Sequence, residues 1–330
     1  MIMVRVAIIG AGGIASQHIM CLMSIPHARI VAVVDVDINR ARLVAEQCGA
    51  QPFARLSDCL SLADAVYVLT PPKFHAELCL EAIRAGKHVF VEKPVADTPE
   101  EAELIVRAAE QSNVLAMTAF NMRFRKGFIR LKQALDSGSL GEPISYWSQR
   151  LGVGVGKEPN WRTTKGQICG MTVESLSHDI DLIRWMCGEI TGVRAQLAYT
   201  QAAIPEFDDN ASTVFKLASG ASAVLHASWS SHLGLNSRGI VGTKGTALIE
   251  GEGLWSLNRF RIKTEDMDHE HVEVLNDRTN ESSYLEENIA FIDSIVHGKA
   301  LPVTLHDGLQ TVRISSAMQR SHQEDREISL

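Results

Sequence analysis

The chain has 330 residues, 45% of them hydrophobic and 22% charged, which is the profile of an ordinary globular protein long enough for roughly two domains. Its 32 Lys and Arg against 39 Asp and Glu give a net charge of −7, and without a basic run nucleic acid is excluded as an expected partner. Apolar stretches such as 6–15 are interrupted by glycine and fall short of the roughly 20 residues a bilayer needs, so no membrane partner is expected either.

In chain order, short and nearly continuous apolar runs at 5–10, 30–36, 65–70, 88–92 and 114–120 predict strands buried on both faces. Amphipathic stretches at 14–23, 38–48, 74–85 and 99–110 predict the helices between them, with Gly49 and Gly86 as stops. Repeated strand–helix units predict an α/β fold whose first domain, 1–121, is a doubly wound parallel sheet of the Rossmann type. Beyond residue 122 the pattern changes. Helices are expected at 128–135 and 173–186, and strands at 144–150, 193–199, 213–218, 221–227, 239–241, 247–250 and 259–263. Ser219-Gly220 reads as a tight hairpin turn. A helix at 284–296 closes what is read as a second α/β domain, 122–330, built on an open and mainly antiparallel sheet. The acidic stretch 264–283 reads as a surface loop or a ragged strand pair.

Residues 1–12 lack a signal peptide's basic start and cleavage site, so the expected compartment is the cytoplasm. The six cysteines are scattered, with no Cys-x-x-Cys, and read as reduced, buried thiols. His269-Glu-His271 reads as a solvated turn, and no metal site is expected.

Gly10-Ala11-Gly12-Gly13-Ile14-Ala15 follows the first strand and opens a helix. A bare Gly-x-Gly is expected by chance about twice in a chain with 24 glycines, so the context carries the weight. Gly10 allows the tight turn, Gly12 the close approach of a pyrophosphate, and the helix N-terminus offers free amides. Asp35 ends the second strand 20 residues after Ala15, where a carboxylate hydrogen-bonds a ribose 2′-hydroxyl. This predicts NAD, with NADP less favoured. Gly152-Val-Gly154-Val-Gly156-Lys157 imitates a phosphate loop without its Ser/Thr and reads better as a lip over a substrate pocket. Glu92-Lys93-Pro94 stands at the carboxyl edge of the sheet, where such folds bind ligands. Glu174, His178 and Asp181 share one face if 173–186 is a single helix.

Together these residues resemble the Gfo/Idh/MocA oxidoreductases, over residues 4 to about 188. The matching landmarks are the glycine loop, Asp35, Thr70-Pro71-Pro72 with His75, Glu92-Lys93-Pro94, Asn121-Met-Arg123-Phe124, Trp161-Arg162 and His178-Asp-Ile-Asp181. The resemblance implies a Rossmann domain followed by an α/β domain whose open sheet often forms subunit interfaces, hence a homodimer or homotetramer. It implies that Thr70, Pro71, His75, Glu92, Lys93 and Asn121 join the glycine loop and Asp35 around the cofactor. It also implies that Lys93, Glu174 and His178 line the nicotinamide pocket; Glu174 stands where the family has Asp and reaches one methylene further.

The expected activity is an NAD-dependent dehydrogenase acting on the CH–OH group of a cyclic polyol, sugar or sugar derivative. His178 is expected to be the base, Lys93 to stabilise the alkoxide, and Glu174 to orient His178 or touch substrate. Asn121, Arg123, Trp161 and Arg162 are expected at the pocket wall, and Asp181 is expected to make a supporting hydrogen bond to substrate or to a residue behind it. Two other readings stay open: an NAD-dependent glycosidase of the same fold, and a non-catalytic NAD-bound sensor or regulator.

Overall fold

The structure is a computed structural model that describes residues 2–154, 169–201, 204–277 and 281–330. In chain order its elements begin β1 (Val4–Ile9), α1 (Gly13–Ser24), β2 (Ala28–Val34), α2 (Ile38–Cys48), β3 (Gln51–Phe53), β4 (Ala65–Val68), α3 (His75–Arg84), β5 (His88–Glu92), α4 (Pro99–Glu110) and β6 (Ala116–Ala119). They continue with α5 (Lys126–Asp136), β7 (Pro143–Val153), α6 (Gly170–Glu174), α7 (Ser177–Cys187), β8 (Ile190–Ala198), β9 (Asn210–Leu217), β10 (Ser222–Ser228) and β11 (Ser230–Gly242). The last are β12 (Gly245–Gly251), β13 (Leu257–Thr264), β14 (His271–Asp277), α8 (Glu281–His297), α9 (Leu305–Glu324) and β15 (Ile328–Ser329). The chain divides into two compact units, Met1–Asn121 with Glu281–Val312, and Met122–Asn280 with Arg313–Leu330. Residues 281–312, which the sequence pattern groups with the second domain, therefore lie in the first unit.

In the first unit six parallel strands run in the order β3-β2-β1-β4-β5-β6. β4, β5 and β6 are buried almost throughout because helices cover both faces, which is why their sequences are continuous apolar runs. The helix limits follow from local chemistry. The Asp37 carboxylate caps α2 by accepting the Asn39 and Arg40 amides, and Gly49, at φ +68°, ends it. The Thr98 hydroxyl accepts the Glu101 amide at 3.2 Å, with Pro99 in the first turn of α4. β3 is absent from the sequence reading because three residues are too few to show a pattern. So is α9, although Thr304 and Asp307 cap its start reciprocally, Asp307 accepting the Thr304 amide at 2.9 Å and Thr304 accepting the Asp307 amide at 3.2 Å.

The second unit is a nine-stranded sheet in the order β14-β13-β12-β11-β7-β10-β9-β8-β15, antiparallel except where β7 and β10 run parallel. The hairpin at Ser219-Gly220 pairs β9 with β10, Val214 opposite Val224, and Gly220 adopts φ +86°. Ala211, Thr213, Phe215, Ala223, Leu225 and Ala227 point to the core, where the later part of α9 adds Ile314, Ala317 and Met318. Ser212, Val214, Lys216, Ser222, Val224 and His226 point away. The 264–283 stretch contains β14, which pairs with β13, so the strand-pair alternative is the one observed.

The single helix expected over 173–186 is two. α6 ends at Glu174 and α7 begins at Ser177, with Ser175 and Leu176 between. The cause lies in β7. Arg150, buried beneath the break, donates from Nη2 to the Ser175 hydroxyl at 2.7 Å and to its carbonyl at 3.2 Å. Glu174 and His178 are thus on different helices, and the shared-face argument from i, i+4 spacing does not hold for that pair.

Candidate active site

The glycine loop lies between the end of β1 and the start of α1, at the carboxyl edge of the parallel sheet. Gly10 has φ +94°, and a Cβ there would stand 2.7 Å from the Leu69 carbonyl oxygen. Gly12 and Gly13 are different: a Cβ on either meets nothing within 4 Å. Gly12 is the N-cap of α1 without a side-chain cap, and no acidic residue stands in the first turn, so free amides and the positive helix end face an open cradle. That geometry fits a pyrophosphate. At the end of β2, Asp35 is buried and accepts the Ala11 and Asp37 amides, each at 2.9 Å. Its carboxylate ties the loop to the next strand. Arg40 Nη1 lies 3.7 Å from Asp35 Oδ2 and is more than half exposed.

Thr70 and Pro71 follow β4, Lys93 follows β5, and Asn121 follows β6, so all the expected cofactor residues gather at one edge of one sheet. His75 stands at the start of α3, just after the β4 end. It is fully buried, with Nδ1 2.8 Å from the Pro94 carbonyl and Nε2 2.7 Å from the Thr70 carbonyl, and it braces the two strand-end loops against each other. Burial pushes its pKa below the ordinary value, against the opposing pull of the two carbonyls. Lys93 is half-buried and precedes a cis Pro94. Its amide donates to Glu92 Oε2 at 3.0 Å, while Glu92 Oε1 is 3.1 Å from His18 Nε2. Asn121 Nδ2 donates to the Ser283 hydroxyl at 3.2 Å.

In the second unit Glu174 and His178 are both buried at the α6–α7 break. α7 is fixed by two carboxylates. Asp181, fully buried, takes both branches of the Arg123 guanidinium, with Nε at 2.8 Å. Asp179 Oδ1 accepts from Arg238 Nη2 at 2.8 Å and from the Ser148 hydroxyl at 2.7 Å, and Arg150 lies 3.2 Å from Oδ2. Burial alone would raise the Asp179 pKa, but the two guanidinium charges and the hydrogen bonds overcome it and hold the group down to about 2. α6 is held by Asp208, which accepts the Thr172 amide at 2.8 Å and bonds the Thr172 hydroxyl.

Trp161 and Arg162 lie outside the described residues, as do Gly156 and Lys157 of the glycine-rich decoy. The sequence reading did not find His18, Asn288, Arg150, Arg238 or Asp208. His18 looks like any residue on the inner face of a helix until β5 brings Glu92 to it. Asp208-Asp209 is an acidic pair with an apolar neighbour, Phe207, and that is the one signal the sequence offered for a buried carboxylate. Among the described residues no group of three potential metal ligands occurs, and no helix is long and apolar enough to cross a membrane.

The strand order 3-2-1-4-5-6, a glycine loop on a helix N-terminus and an acid ending β2 define a dinucleotide-binding protein of the Rossmann class. Comparison with known proteins narrows this. The model of an oxidoreductase family with an NAD-binding Rossmann fold matches residues 4–120, and that of the GFO/IDH/MocA C-terminal domain matches residues 128–248. The chain belongs to the Gfo/Idh/MocA family and is an NAD-dependent oxidoreductase.

It is 30% identical over 330 residues to the uncharacterised oxidoreductase YrbE of Bacillus subtilis (strain 168), covering 95% of this chain and 93% of that protein. It is 28% identical to an inositol 2-dehydrogenase of Rhizobium meliloti (strain 1021), covering 99% of both. Levoglucosan dehydrogenase in complex with NADH and L-sorbose shares its fold, at a TM-score of 0.90 and 22% identity, over 100% of this chain and 99% of that one.

Proposed function

We propose that the protein is an NAD-dependent dehydrogenase of a secondary alcohol in a cyclic polyol, sugar or sugar derivative. The observation that carries this reading is the alignment, along one sheet edge, of an open phosphate cradle at Gly12, an acid at the end of β2 and a half-buried lysine at the end of β5. The names of the relatives support the substrate class, since they include inositol 2-dehydrogenases and a levoglucosan dehydrogenase.

Bound NAD supplies the hydride acceptor. The α1 amides would hold the pyrophosphate of NAD, and Asp35 would accept a hydrogen bond from a ribose hydroxyl, which disfavours a 2′-phosphate there. Lys93 donates to the substrate oxygen and stabilises the negative charge that builds on it as the C–H bond breaks. His178 takes the hydroxyl proton, an imidazole being suited to proton transfer near neutrality. Glu174 orients His178 or binds a neighbouring substrate hydroxyl. Arg123 faces the substrate, and Asp181 supports it from behind by holding both branches of its guanidinium.

The test is the near-ultraviolet absorbance of reduced nicotinamide, with NAD or NADP and a panel of inositols, polyols and aldoses. Growth with NAD on one substrate class is expected. Lys93→Ala and His178→Ala should each lower turnover by at least about a hundredfold while NAD still binds. Wild-type turnover in His178→Ala would remove it as the base. Release of a leaving group without net NADH would move the assignment to a glycosidase, and NAD binding without any turnover across the panel would favour a regulator.

A further inference from the structure

His18 is fully buried on the inner face of α1, and the reaction proposed above makes no use of it. Its ring is enclosed edge-on by Tyr67, Phe90 and Tyr284, at 6.0, 5.1 and 5.4 Å between ring centres. An imidazole in such a box has its polar atoms fully committed or pays for their burial.

Its two nitrogens have one partner each. Nδ1 lies 2.9 Å from Asn288 Nδ2, and Nε2 lies 3.1 Å from Glu92 Oε1. The Asn288 amide also donates from Nδ2 to the Tyr284 carbonyl at 2.7 Å, which sets which way round the amide lies. A carbonyl can only accept, so the amide nitrogen faces both it and the ring, and Nδ1 of His18 must accept. The ring proton is therefore on Nε2 and points at Glu92. The second oxygen of Glu92 accepts the Lys93 amide at 3.0 Å. Burial alone would raise the Glu92 pKa, but the His18 hydrogen bond, with Lys93 nearby, overcomes it and keeps the carboxylate below its ordinary value.

We propose that His18 is a positioning residue for Lys93: locked in its Nε2–H tautomer by Asn288, it holds the Glu92 carboxylate so that its other oxygen fixes the Lys93 backbone. The inference rests on the assignment of Lys93 to the reacting site. It links three elements that are far apart in sequence, α1 through His18, β5 through Glu92 and α8 through Asn288. The helix whose N-terminus faces the phosphate cradle thus also sets the direction of the lysine.

The test compares His18→Leu, which keeps bulk and loses the donor, with His18→Gln, which keeps a donor near the Nε2 position. In His18→Leu, kcat is expected to fall at least about tenfold, since misplacing a reacting group costs about this much or more. The dissociation constant for NAD by calorimetry should stay within about twofold, because the phosphate cradle is untouched. Hydrogen exchange at the Lys93 amide should accelerate, while exchange at Val89 and Val91 within β5 stays as in the wild type. His18→Gln should recover most of the loss in both readouts.

A His18→Leu enzyme with wild-type kcat and wild-type Lys93 exchange overturns the proposal. So does a folded His18→Gln that loses as much as His18→Leu. If His18→Leu does not fold, Asn288→Leu, which releases the tautomer, takes its place, and identity with wild type in both readouts overturns it equally. A wild-type enzyme that reduces NAD with none of the polyols or sugars fails at the earlier reading, and this proposal falls with it.

Discussion

A methyl group added at Gly10 would collide with the Leu69 carbonyl oxygen at 2.7 Å in a backbone conformation that L residues avoid, whereas one added at Gly12 would enter empty space within 4 Å. The fold therefore constrains Gly10, while nothing within the chain excludes a side chain at Gly12. Gly10→Ala should lower the melting temperature. Gly12→Val should lower it only by the small cost of a poorer N-cap and weaken NAD binding at least about tenfold, since the side chain occupies the phosphate's place at the helix end. Calorimetry and thermal melting separate the two, and a Gly12→Val protein with unaltered NAD affinity would dispose of the cradle. At this scale the placement of the candidate residues was legible: the glycines, Asp35 and Lys93 announce themselves through position relative to a strand end. Partners brought by the fold were not. Nothing near His18 in sequence points to Glu92 or Asn288, and nothing near Asp181 names Arg123 as its partner.

The short helix α6 hangs on one carboxylate. Asp208 accepts from both the amide and the hydroxyl of Thr172, and a Cβ on Gly170 would meet its Oδ1 at 1.8 Å, so the start of the helix is built around it. Burial is the largest influence on Asp208 and outweighs the Thr172 hydrogen bonds; with Asp209 adding to the rise, the pKa goes from the ordinary 3.8 to about 7. Between those values the folded protein keeps a proton that the unfolded chain has released. Stability therefore falls as pH rises through that window, by at most about 1.4 kcal/mol per pH unit from this group. In Asp208→Asn that component should vanish. Urea midpoints between pH 4.5 and 7.5 should then decline less steeply than in the wild type, and parallel slopes would show that Asp208 is not the group responsible. The parallel strands were readable because double burial makes apolar runs. The α6–α7 break was not readable, because its cause, Arg150, lies 25 residues away from Ser175, on β7.

At the scale of the whole molecule, the break between units after Asn121 is visible as a change from strand–helix units to alternating strands. The return of 281–312 to the first unit is not visible, because the partners of α8 are almost the whole chain away, as the Asn288–His18 pair illustrates. Alternation nevertheless predicts one more property. Val214, Val224, Trp147 and Gly239 are register partners across four neighbouring strands, β9, β10, β7 and β11. Val214 and Val224 are 49% and 46% exposed, and Trp147 lies over Gly239, where a Cβ would meet its ring at 2.2 Å. The result is an apolar row on the outward face, flanked on one side by Ser212 and His226 and on the other by Lys216 and Ser222.

An outward sheet face carrying such a row is suited to pairing with a second copy through a two-fold axis, each row packing on its mate. Light scattering on the purified protein should give twice or four times the 36.2 kDa chain mass. Replacing Val214 and Val224 together by Glu places like charges opposite each other in that row and should return the mass to that of one chain, with folding judged by circular dichroism. A wild-type protein already at the single-chain mass would reject assembly altogether. A double variant that is still assembled would move the interface off this face of the sheet.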